Sequence, residues 1–374
     1  AAGRRPERSL PRHARDARGL AFVKVVIVGC GTISPHYART MGPHPQLELA
    51  GATDLDPKRA RALVAEFGGR AYPSLEAVLA DPDVDAVLNL TVHQAHVAVV
   101  AACLEAGKHV HTEKPLALDP GEAWRLVELA DATGMRLSCA PINVMGEAQQ
   151  TAWKLARQGR LGTVRLAYAE VNWGRIETWH QAPIPFYEVG ALVDVGVYPV
   201  TLVTAMFGPA RRVTAFARML EPDRVTLAGK HFTPAAPDFV VGLIELAEGP
   251  VVRLTANFYA ESWGKQRGLE LHGDAAALHL DSWEDFDSRL ELRERGGDYV
   301  PVPLVRKGFP GKEWARSLVE LDSAIAEGRP HRPSAAHAAH VVEILAGVAE
   351  AAAAGTPVEI ASDFPRQPPM DWAR

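Results

Sequence analysis

An apolar strand followed at once by a glycine-rich turn is the feature that most constrains the fold of this 374-residue chain. The stretch Val23-Lys-Val-Val-Ile-Val-Gly-Cys-Gly-Thr-Ile-Ser34 begins with branched apolar residues, which are typical of a strand buried on both faces. Gly29 permits a tight turn, and Gly31 lets the backbone approach a pyrophosphate that a Cβ atom would keep away. A helix beginning after the turn presents free N–H groups to that anion. The pattern predicts a dinucleotide-binding turn, with Ser34 in place of the usual third glycine.

A carboxylate after the second predicted strand supports this interpretation. Asp54 follows the apolar segment 47–53 and lies 25 residues beyond Gly29. The acidic residue that accepts hydrogen bonds from the ribose hydroxyls is expected about 20 residues beyond the glycines. Because such a carboxylate repels a 2′-phosphate, we expect NAD as the cofactor. Basic residues nearby, Arg59 among them, oppose that repulsion, so NADP is kept as the alternative cofactor. The residues expected to contact this half of the cofactor are Gly29, Gly31, Thr32, Ile33, Asp54 and Arg59.

Length, charge and cysteine content limit the class of protein. A chain of 374 residues is too long for one core and predicts two domains. A net charge of −5 gives no basic surface, so we expect no nucleic-acid partner. Three scattered cysteines without a CxxC pair predict no disulfide framework and fit a reducing cytoplasm. No segment is expected to span a membrane, and residues 1–22, rich in arginine, are expected to form a flexible arm.

The order of predicted elements separates two kinds of fold. Residues 23–142 alternate strands and helices, as parallel βαβ units require, and predict a doubly wound Rossmann sheet. Residues 143–364 are expected to form an α+β domain, an open and mostly antiparallel sheet with helices on one face, and residues 365–374 a tail. Within that domain, residues 189–206 are apolar throughout, and their N-terminal half is expected to be helical.

One short motif carries a candidate catalytic cation. Glu113-Lys114-Pro115 follows the predicted strand 108–112 at the carboxyl end of the parallel sheet, where α/β proteins build their sites. Pro115 restricts Lys114 to an extended or turn conformation. An ammonium group there can bond a substrate hydroxyl and lower the pKa of a neighbouring acid. From these residues alone, a surface lysine in a loop stays open as the alternative.

Four motifs in one order resemble the glucose–fructose oxidoreductase/inositol dehydrogenase (Gfo/Idh/MocA) family over residues 23 to about 364. They are Gly29-Cys-Gly-Thr-Ile-Ser34, Thr91-Val-His-Gln-Ala-His96, Ala106-Gly-Lys-His-Val-His-Thr-Glu-Lys-Pro-Leu116 and Asp194-Val-Gly-Val-Tyr-Pro199. The resemblance implies an NAD(P)-dependent oxidoreductase that transfers hydride to or from a secondary alcohol or ketone of a sugar, polyol or derivative. It also implies a homodimer or homotetramer assembled through the C-terminal sheet.

The resemblance assigns roles to residues of these motifs. Lys114 matches the lysine that contacts the reacting oxygen. Asp194 and Tyr198 match a D-x-G-x-H/Y motif, with tyrosine as in the branch of dihydrodiol dehydrogenase and glucose–fructose oxidoreductase. Their spacing of four is expected to place both on one helix face. Tyr198 is the expected acid/base, with its pKa lowered by Lys114, and Asp194 is expected to orient a sugar hydroxyl. Further residues matched to the cofactor are Thr91, His93, His96, Glu113 and Lys114.

Other polar residues permit weaker expectations. Asn143, Trp173, Arg175 and His180 are candidates for the substrate pocket, and simple loop packing is equally open for the last three. Zinc sites use three or four converging ligands, and the histidine pairs of this chain provide no such set, so we expect no metal.

Two other functions stay open. One is a redox-neutral enzyme that uses retained NAD to cleave a glycosidic bond, and the other is a non-catalytic ligand sensor. The sequence alone does not name the substrate, the reacting carbon, the direction of reaction or whether the cofactor leaves after each turnover.

Overall fold

The computed structural model describes residues 23–261 and 264–374, so the arm expected over residues 1–22 lies outside the described residues. The N-terminal half is a six-stranded parallel sheet in the order β3-β2-β1-β4-β5-β6, which confirms the doubly wound prediction. Its elements are β1 (Val23–Val28), α1 (Ser34–Met41), β2 (Leu47–Thr53), α2 (Pro57–Phe67), β3 (Arg70–Ala71), α3 (Leu75–Leu79), β4 (Ala86–Asn89), α4 (His96–Glu105), β5 (His109–Thr112), α5 (Pro120–Thr133) and β6 (Leu137–Cys139).

Local sequence signals explain where these elements begin. The side chains of Asp56, Ser74 and Asp119 accept hydrogen bonds from backbone N–H groups in the first turns of α2, α3 and α5. Apolar residues of β1 and β4 are buried on both faces, as expected for central parallel strands. The sheet therefore holds its carboxyl-terminal edge, where the candidate residues lie, on a rigid core.

The C-terminal half is built on a nine-stranded sheet in the order β16-β15-β14-β13-β7-β12-β11-β8-β17. All neighbours are antiparallel except β7 and β12, so the mostly antiparallel prediction is confirmed. The elements are α6 (Glu147–Arg157), β7 (Val164–Asn172), α7 (Ile184–Asp194), α8 (Val197–Phe207), β8 (Ala210–Arg218), β9 (Arg224–Val225), β10 (His231–Phe232), β11 (Phe239–Leu246), β12 (Val251–Asn257), β13 (Gly268–Gly273), β14 (Ala276–Leu280), β15 (Leu290–Glu294), β16 (Val300–Pro301), α9 (Arg316–Glu327), α10 (Ala335–Ala354) and β17 (Val358–Glu359).

Residues 189–206, expected to be helical in their N-terminal half, belong to two helices. The structure forms α7 and α8, which are separated at Val195 and Gly196, and the chain also bends at Gly190, where φ is +78°. A Cβ atom on Gly196 would lie 2.5 Å from the Leu192 carbonyl oxygen. Asp194 therefore ends one helix and Tyr198 lies in the first turn of the next, so the expected shared helix face does not exist.

The same region is apolar enough to cross a membrane by length and composition, which the sequence analysis did not expect. Residues 184–207 form this stretch, and 78% of its most apolar window is buried inside the protein. Because α7 and α8 pack against β11, β12 and α10, their apolar side chains belong to the core of the C-terminal half.

The last two long helices join the two halves. Ala315 and Leu318 contribute to the core beside β1 and α1. Ala335, Ala339 and Val342 of α10 pack with α5 and β6, while the other side of α10 packs on β8. The C-terminal segment thus helps to set the position of the Rossmann sheet relative to the second sheet.

Candidate active site

The glycine-rich turn has the backbone geometry that its sequence predicts. Gly29 adopts φ +94°, and a Cβ atom there would lie 2.7 Å from the carbonyl carbon of Leu90. A Cβ atom on Gly31 would meet nothing within 4 Å, so this side of the turn is open to a ligand. The Ser34 hydroxyl donates to the Gly31 carbonyl at 2.8 Å and is buried, which accounts for serine at the third small position. This geometry fits the dinucleotide-binding turn that the sequence predicts.

The Asp54 carboxylate lies directly beside this turn. Its Oδ2 accepts a hydrogen bond from the Cys30 N–H at 2.6 Å, and its Oδ1 accepts one from the Asp56 N–H at 2.8 Å. These bonds fix the carboxylate, and each oxygen keeps a lone pair for a ribose hydroxyl. Arg59 is 61% exposed in its side chain and lies 4.0 Å from Asp56, on the outer surface of α2.

A buried ion pair joins the two halves at the carboxyl end of the parallel sheet. Lys114 Nζ donates to Asp194 Oδ1 and to the Asp194 backbone oxygen, both at 2.6 Å. The side chains of Lys114 and Asp194 are 12% and 4% exposed. An ammonium group has three N–H donors, so one donor of Lys114 is left for a substrate oxygen. Asp194 holds the lysine, whereas the sequence analysis expected it to orient a substrate hydroxyl.

Tyr198 lies against the same cation and against residues that the sequence analysis did not identify. Lys114 Nζ is 5.3 Å from the centre of its ring, and Lys312 Nζ is 5.0 Å from it. The Trp283 ring packs on Tyr198 with centroids 4.8 Å apart. Lys312 in turn forms an ion pair with Glu284 at 2.6 Å. Asp194 and Tyr198 thus meet at Lys114 although they lie on different helices.

The expected lowering of the Tyr198 pKa is wrong. Burial raises the pKa of the Tyr198 phenol well above its usual range, and the carboxylates of Glu284, Glu113 and Asp194 add to the increase. Lys114 does not reverse this effect because its charge is paired with Asp194. Tyr198 therefore carries its proton at neutral pH.

Glu113 is held by a buried network. Its Oε1 accepts from the Tyr37 hydroxyl at 2.8 Å, and its Oε2 accepts from the Lys114 N–H at 3.1 Å. Tyr37 lies on α1 and is fully buried, and its hydroxyl is 3.4 Å from His111 Nε2. The network ties the start of the cofactor-binding helix to the lysine loop, so Glu113 positions Lys114. A direct cofactor contact by Glu113 stays a prediction.

Two buried polar atoms beside Lys114 or Tyr198 have no hydrogen-bond partner among the described residues. Asn143 Nδ2 donates to the backbone oxygens of Tyr198 and Trp283, at 3.0 and 2.8 Å, while its Oδ1 has no hydrogen bond. His93 Nδ1 is also unpartnered, and burial together with Lys114 lowers the pKa of His93 to about 4. Each atom is available to a bound molecule, because buried polar atoms are normally satisfied.

Two further candidates from the Thr91–His96 motif form hydrogen bonds with other residues of the protein. The ring of His96 is fully buried, with Nδ1 2.7 Å from the Pro115 oxygen and Nε2 3.1 Å from the Thr91 oxygen. The Thr91 hydroxyl donates to Asn89 Oδ1 at 2.8 Å. His96 therefore links the loop after β4 to the lysine loop.

The aromatic and basic segment after β7 divides into two groups. Trp173 packs on Trp283, with centroids 6.0 Å apart, and so adjoins the Tyr198 site. Arg175 instead pairs with Glu221 at 2.8 Å and lies over Tyr259. His180 packs against Trp179 and Phe186. The contacts of Arg175 and His180 are those of loop packing, and their place in the substrate pocket stays a prediction.

The two histidines of β5, His109 and His111, have structural partners. His109 Nδ1 accepts from the Arg136 N–H at 3.0 Å, and His111 lies within 3.0 Å of the hydroxyls of Ser138 and Ser317. Across residues 23–261 and 264–374, no group of three or more histidine, cysteine, aspartate or glutamate side chains is placed to hold a metal ion.

Comparison with known proteins identifies the family. Residues 23–140 match the family model described as "Oxidoreductase family, NAD-binding Rossmann fold", and residues 149–279 match "GFO/IDH/MocA C-terminal domain". The chain belongs to the Gfo/Idh/MocA family. It is 35% identical to an uncharacterized oxidoreductase of Rhizobium meliloti, over 76% of this chain and 83% of that protein.

Two further similarities place this family member among enzymes. It is 27% identical to the dTDP-3,4-didehydro-2,6-dideoxy-alpha-D-glucose 3-reductase of Streptomyces antibioticus, over 82% of this chain and 90% of that enzyme. The fold matches a structure of levoglucosan dehydrogenase in complex with NADH and levoglucosan, with a TM-score of 0.80 and 20% identity, over 91% of this chain and 100% of that chain. The chain is accordingly an oxidoreductase with an NAD-binding Rossmann domain.

The residues present fit a nicotinamide dinucleotide. The open side of Gly31, the Asp54 carboxylate at the turn and the unpartnered His93 Nδ1 lie along the carboxyl-terminal edge of the parallel sheet. Dinucleotides bind at this edge in doubly wound folds.

Proposed function

We propose that this oxidoreductase interconverts a secondary alcohol and a ketone on a sugar or sugar derivative, with Lys114 and Tyr198 acting on the reacting oxygen. The observation that carries the proposal is the Lys114–Asp194 pair at 2.6 Å, which places a cation with a free donor beside the Tyr198 ring. The sugar-acting relative from Streptomyces antibioticus supports the substrate class.

The roles of the side chains follow from their charges. When bound, the nicotinamide accepts or supplies the hydride. In the reductive direction, the remaining N–H of Lys114 bonds the ketone oxygen, and the Tyr198 hydroxyl donates its proton to that oxygen. Asp194 pairs with Lys114 and fixes its position. In the oxidative direction the Tyr198 phenolate must accept the proton, so its high pKa limits the rate at neutral pH.

The Tyr198→Phe variant is expected to lose about 10²- to 10⁴-fold in turnover, since it removes the proton donor.

In the unmodified enzyme, the rate of oxidation should rise about tenfold per pH unit between neutral pH and the raised pKa of Tyr198, because the phenolate fraction grows tenfold per unit. Reduction should stay flat over the same range, because the phenol remains protonated. NADH formation and consumption at 340 nm, measured across sugars and pH, give both profiles.

A matched control is Tyr168→Phe, because Tyr168 lies on the sheet under Arg253 and away from Lys114. Its turnover should equal that of the unmodified enzyme. Full turnover in Tyr198→Phe would remove Tyr198 from the mechanism. Release of an aglycone without net NADH formation would indicate the glycoside-cleaving alternative.

We propose NAD as the preferred cofactor, on the basis of the Asp54 carboxylate beside the turn. Replacing Asp54 with serine should weaken NADH binding by about 10- to 100-fold, because charge-assisted hydrogen bonds to the ribose are lost. NADPH binding should improve in the same variant, since the repulsion of its 2′-phosphate is removed. Fluorescence titration with both cofactors measures the change. Glu48→Gln removes one exposed charge from the same strand and should leave both affinities unchanged; an equal effect there would contradict the role of Asp54.

We propose that the open face of the nine-stranded sheet joins subunits into a dimer or tetramer. Four apolar side chains on adjacent strands are 39–58% exposed there, namely Leu166, Phe216, Leu243 and Val251. Exposed apolar side chains grouped on one face of neighbouring strands favour an interaction surface. The double variant Phe216→Asp/Leu243→Asp should be monomeric by light scattering after gel filtration, and an unmodified protein that is already monomeric would contradict the proposal.

We also propose a reducing compartment, the cytoplasm, since Cys30, Cys103 and Cys139 are free and buried.

A further inference from the structure

A cavity lies beside the Tyr198 site, at the end of β7 and the turn after β14. It has a volume of about 270 Å³, and its walls include Trp173, Trp283, Glu170, Glu284 and Asp285. Small-ligand sites usually measure about 300 to 1,000 Å³, so this cavity suits a single ring better than a nucleotide.

One side chain is shared by the cavity and the reaction centre. Trp283 lines the cavity and also packs on the Tyr198 ring, with centroids 4.8 Å apart. Glu284 lines the cavity too, and its partner Lys312 lies over Tyr198. A group bound in the cavity is therefore a near neighbour of the group that reacts at Tyr198, as two units of one substrate would be.

The charged side chains that line the cavity favour an uncharged ligand over a phosphate. Four carboxylates line the cavity against one guanidinium, that of Arg267, which already bonds both oxygens of Asp281 at 2.7 and 2.9 Å. One oxygen of Glu170 pairs with Arg253, and one oxygen of Glu284 pairs with Lys312. The other oxygen of each carboxylate can accept a hydrogen bond from a ligand. A phosphate would meet net negative charge here, whereas sugar hydroxyls would find acceptors and the apolar surface of two indoles.

We propose that this cavity holds a second, uncharged sugar ring, so that the substrate is a neutral glycoside rather than a sugar nucleotide. The inference rests on the proposed function for the identity of the reacting ring. The cavity itself is a binding site that can be measured without turnover.

The test is calorimetric titration of the protein, with and without NADH, using cellobiose and maltose, then D-glucose as a single ring and UDP-glucose as a nucleotide-linked ring. We expect at least one disaccharide to bind about tenfold or more tightly than glucose. Asp285→Asn should remove most of that preference while leaving glucose and NADH binding unchanged, and Trp173→Ala should also remove most of it. Asp298→Asn, which changes an exposed residue on another turn, is the matched control and should bind like the unmodified protein.

Three results would overturn the proposal: tightest binding of UDP-glucose, a disaccharide preference that survives both variants, or no binding of any disaccharide. The Asp285→Asn variant changes no side-chain volume and so keeps the test valid where Trp173→Ala fails to fold. Because the titration needs no catalysis, absent turnover with intact disaccharide binding would count against the proposed function alone.

Discussion

Replacing Lys114 with methionine is expected to lower turnover by about 10³-fold and to destabilise the protein at the same time. Turnover falls because the donor that bonds the reacting oxygen is lost. Stability falls because Asp194, which is 3% exposed, keeps a buried charge without its partner. Removing one member of a buried ion pair typically costs about 3–5 kcal/mol in the free energy of unfolding. Steady-state kinetics at 340 nm and urea denaturation measure the two effects.

The double variant Lys114→Met/Asp194→Asn separates these two effects. It removes both charges, so most of the lost stability should return, while turnover should stay low. NADH binding should change little in either variant, because the adenosine half of the cofactor site lies at Asp54 and Gly31. Recovery of turnover in the double variant would show that Lys114 serves stability only.

Replacing Arg224 with methionine is expected to produce the largest loss of stability away from the active site. The Arg224 side chain is fully buried and bonds Glu177 at 2.7 Å, Asp238 at 2.6 Å and the Tyr187 hydroxyl at 2.9 Å. Methionine fills similar space but leaves two buried carboxylates without a cation. We expect the free energy of unfolding to fall by about 3–5 kcal/mol in urea denaturation.

Arg212→Met is the matched control for this prediction. Arg212 pairs with Glu245 at 2.7 Å, but its side chain is 42% exposed. Exposed ion pairs contribute about 0–1 kcal/mol, so this variant should unfold close to the unmodified protein. Equal losses in the two arginine variants would contradict the assignment of Arg224 as the buried centre of its ion-pair network.

The N-terminal half could be predicted from the sequence nearly element by element. Its signals are local: the branched run of β1, the glycines of the first turn, and the caps at Asp56 and Ser74 each act within a few residues. Strand order then follows from the handedness of βαβ units. The Glu113-Lys114-Pro115 motif was also located correctly, because it follows a strand at the carboxyl end of that sheet.

The surroundings of Tyr198 could not be predicted in the same way. Lys312, Glu284 and Trp283 lie 85 to 114 residues further along the chain and carry no periodic signal. Their approach to Tyr198 depends on how the turn after β14 and the segment before α9 pack on α8. The pKa of Tyr198 depends on that packing too, and so the expected lowering by Lys114 was wrong.

The sequence by itself determined the Rossmann half, the glycine turn with Asp54, and the candidate lysine, because each depends on short-range geometry. Only the tertiary structure decided the separation of Asp194 and Tyr198 onto two helices, the use of Asp194 to hold Lys114, and the burial of Arg224. The physical reason is the same in each case. Burial and charge pairing are set by distant segments, and these determine which groups keep a proton, which are fixed, and which are free to bind a substrate.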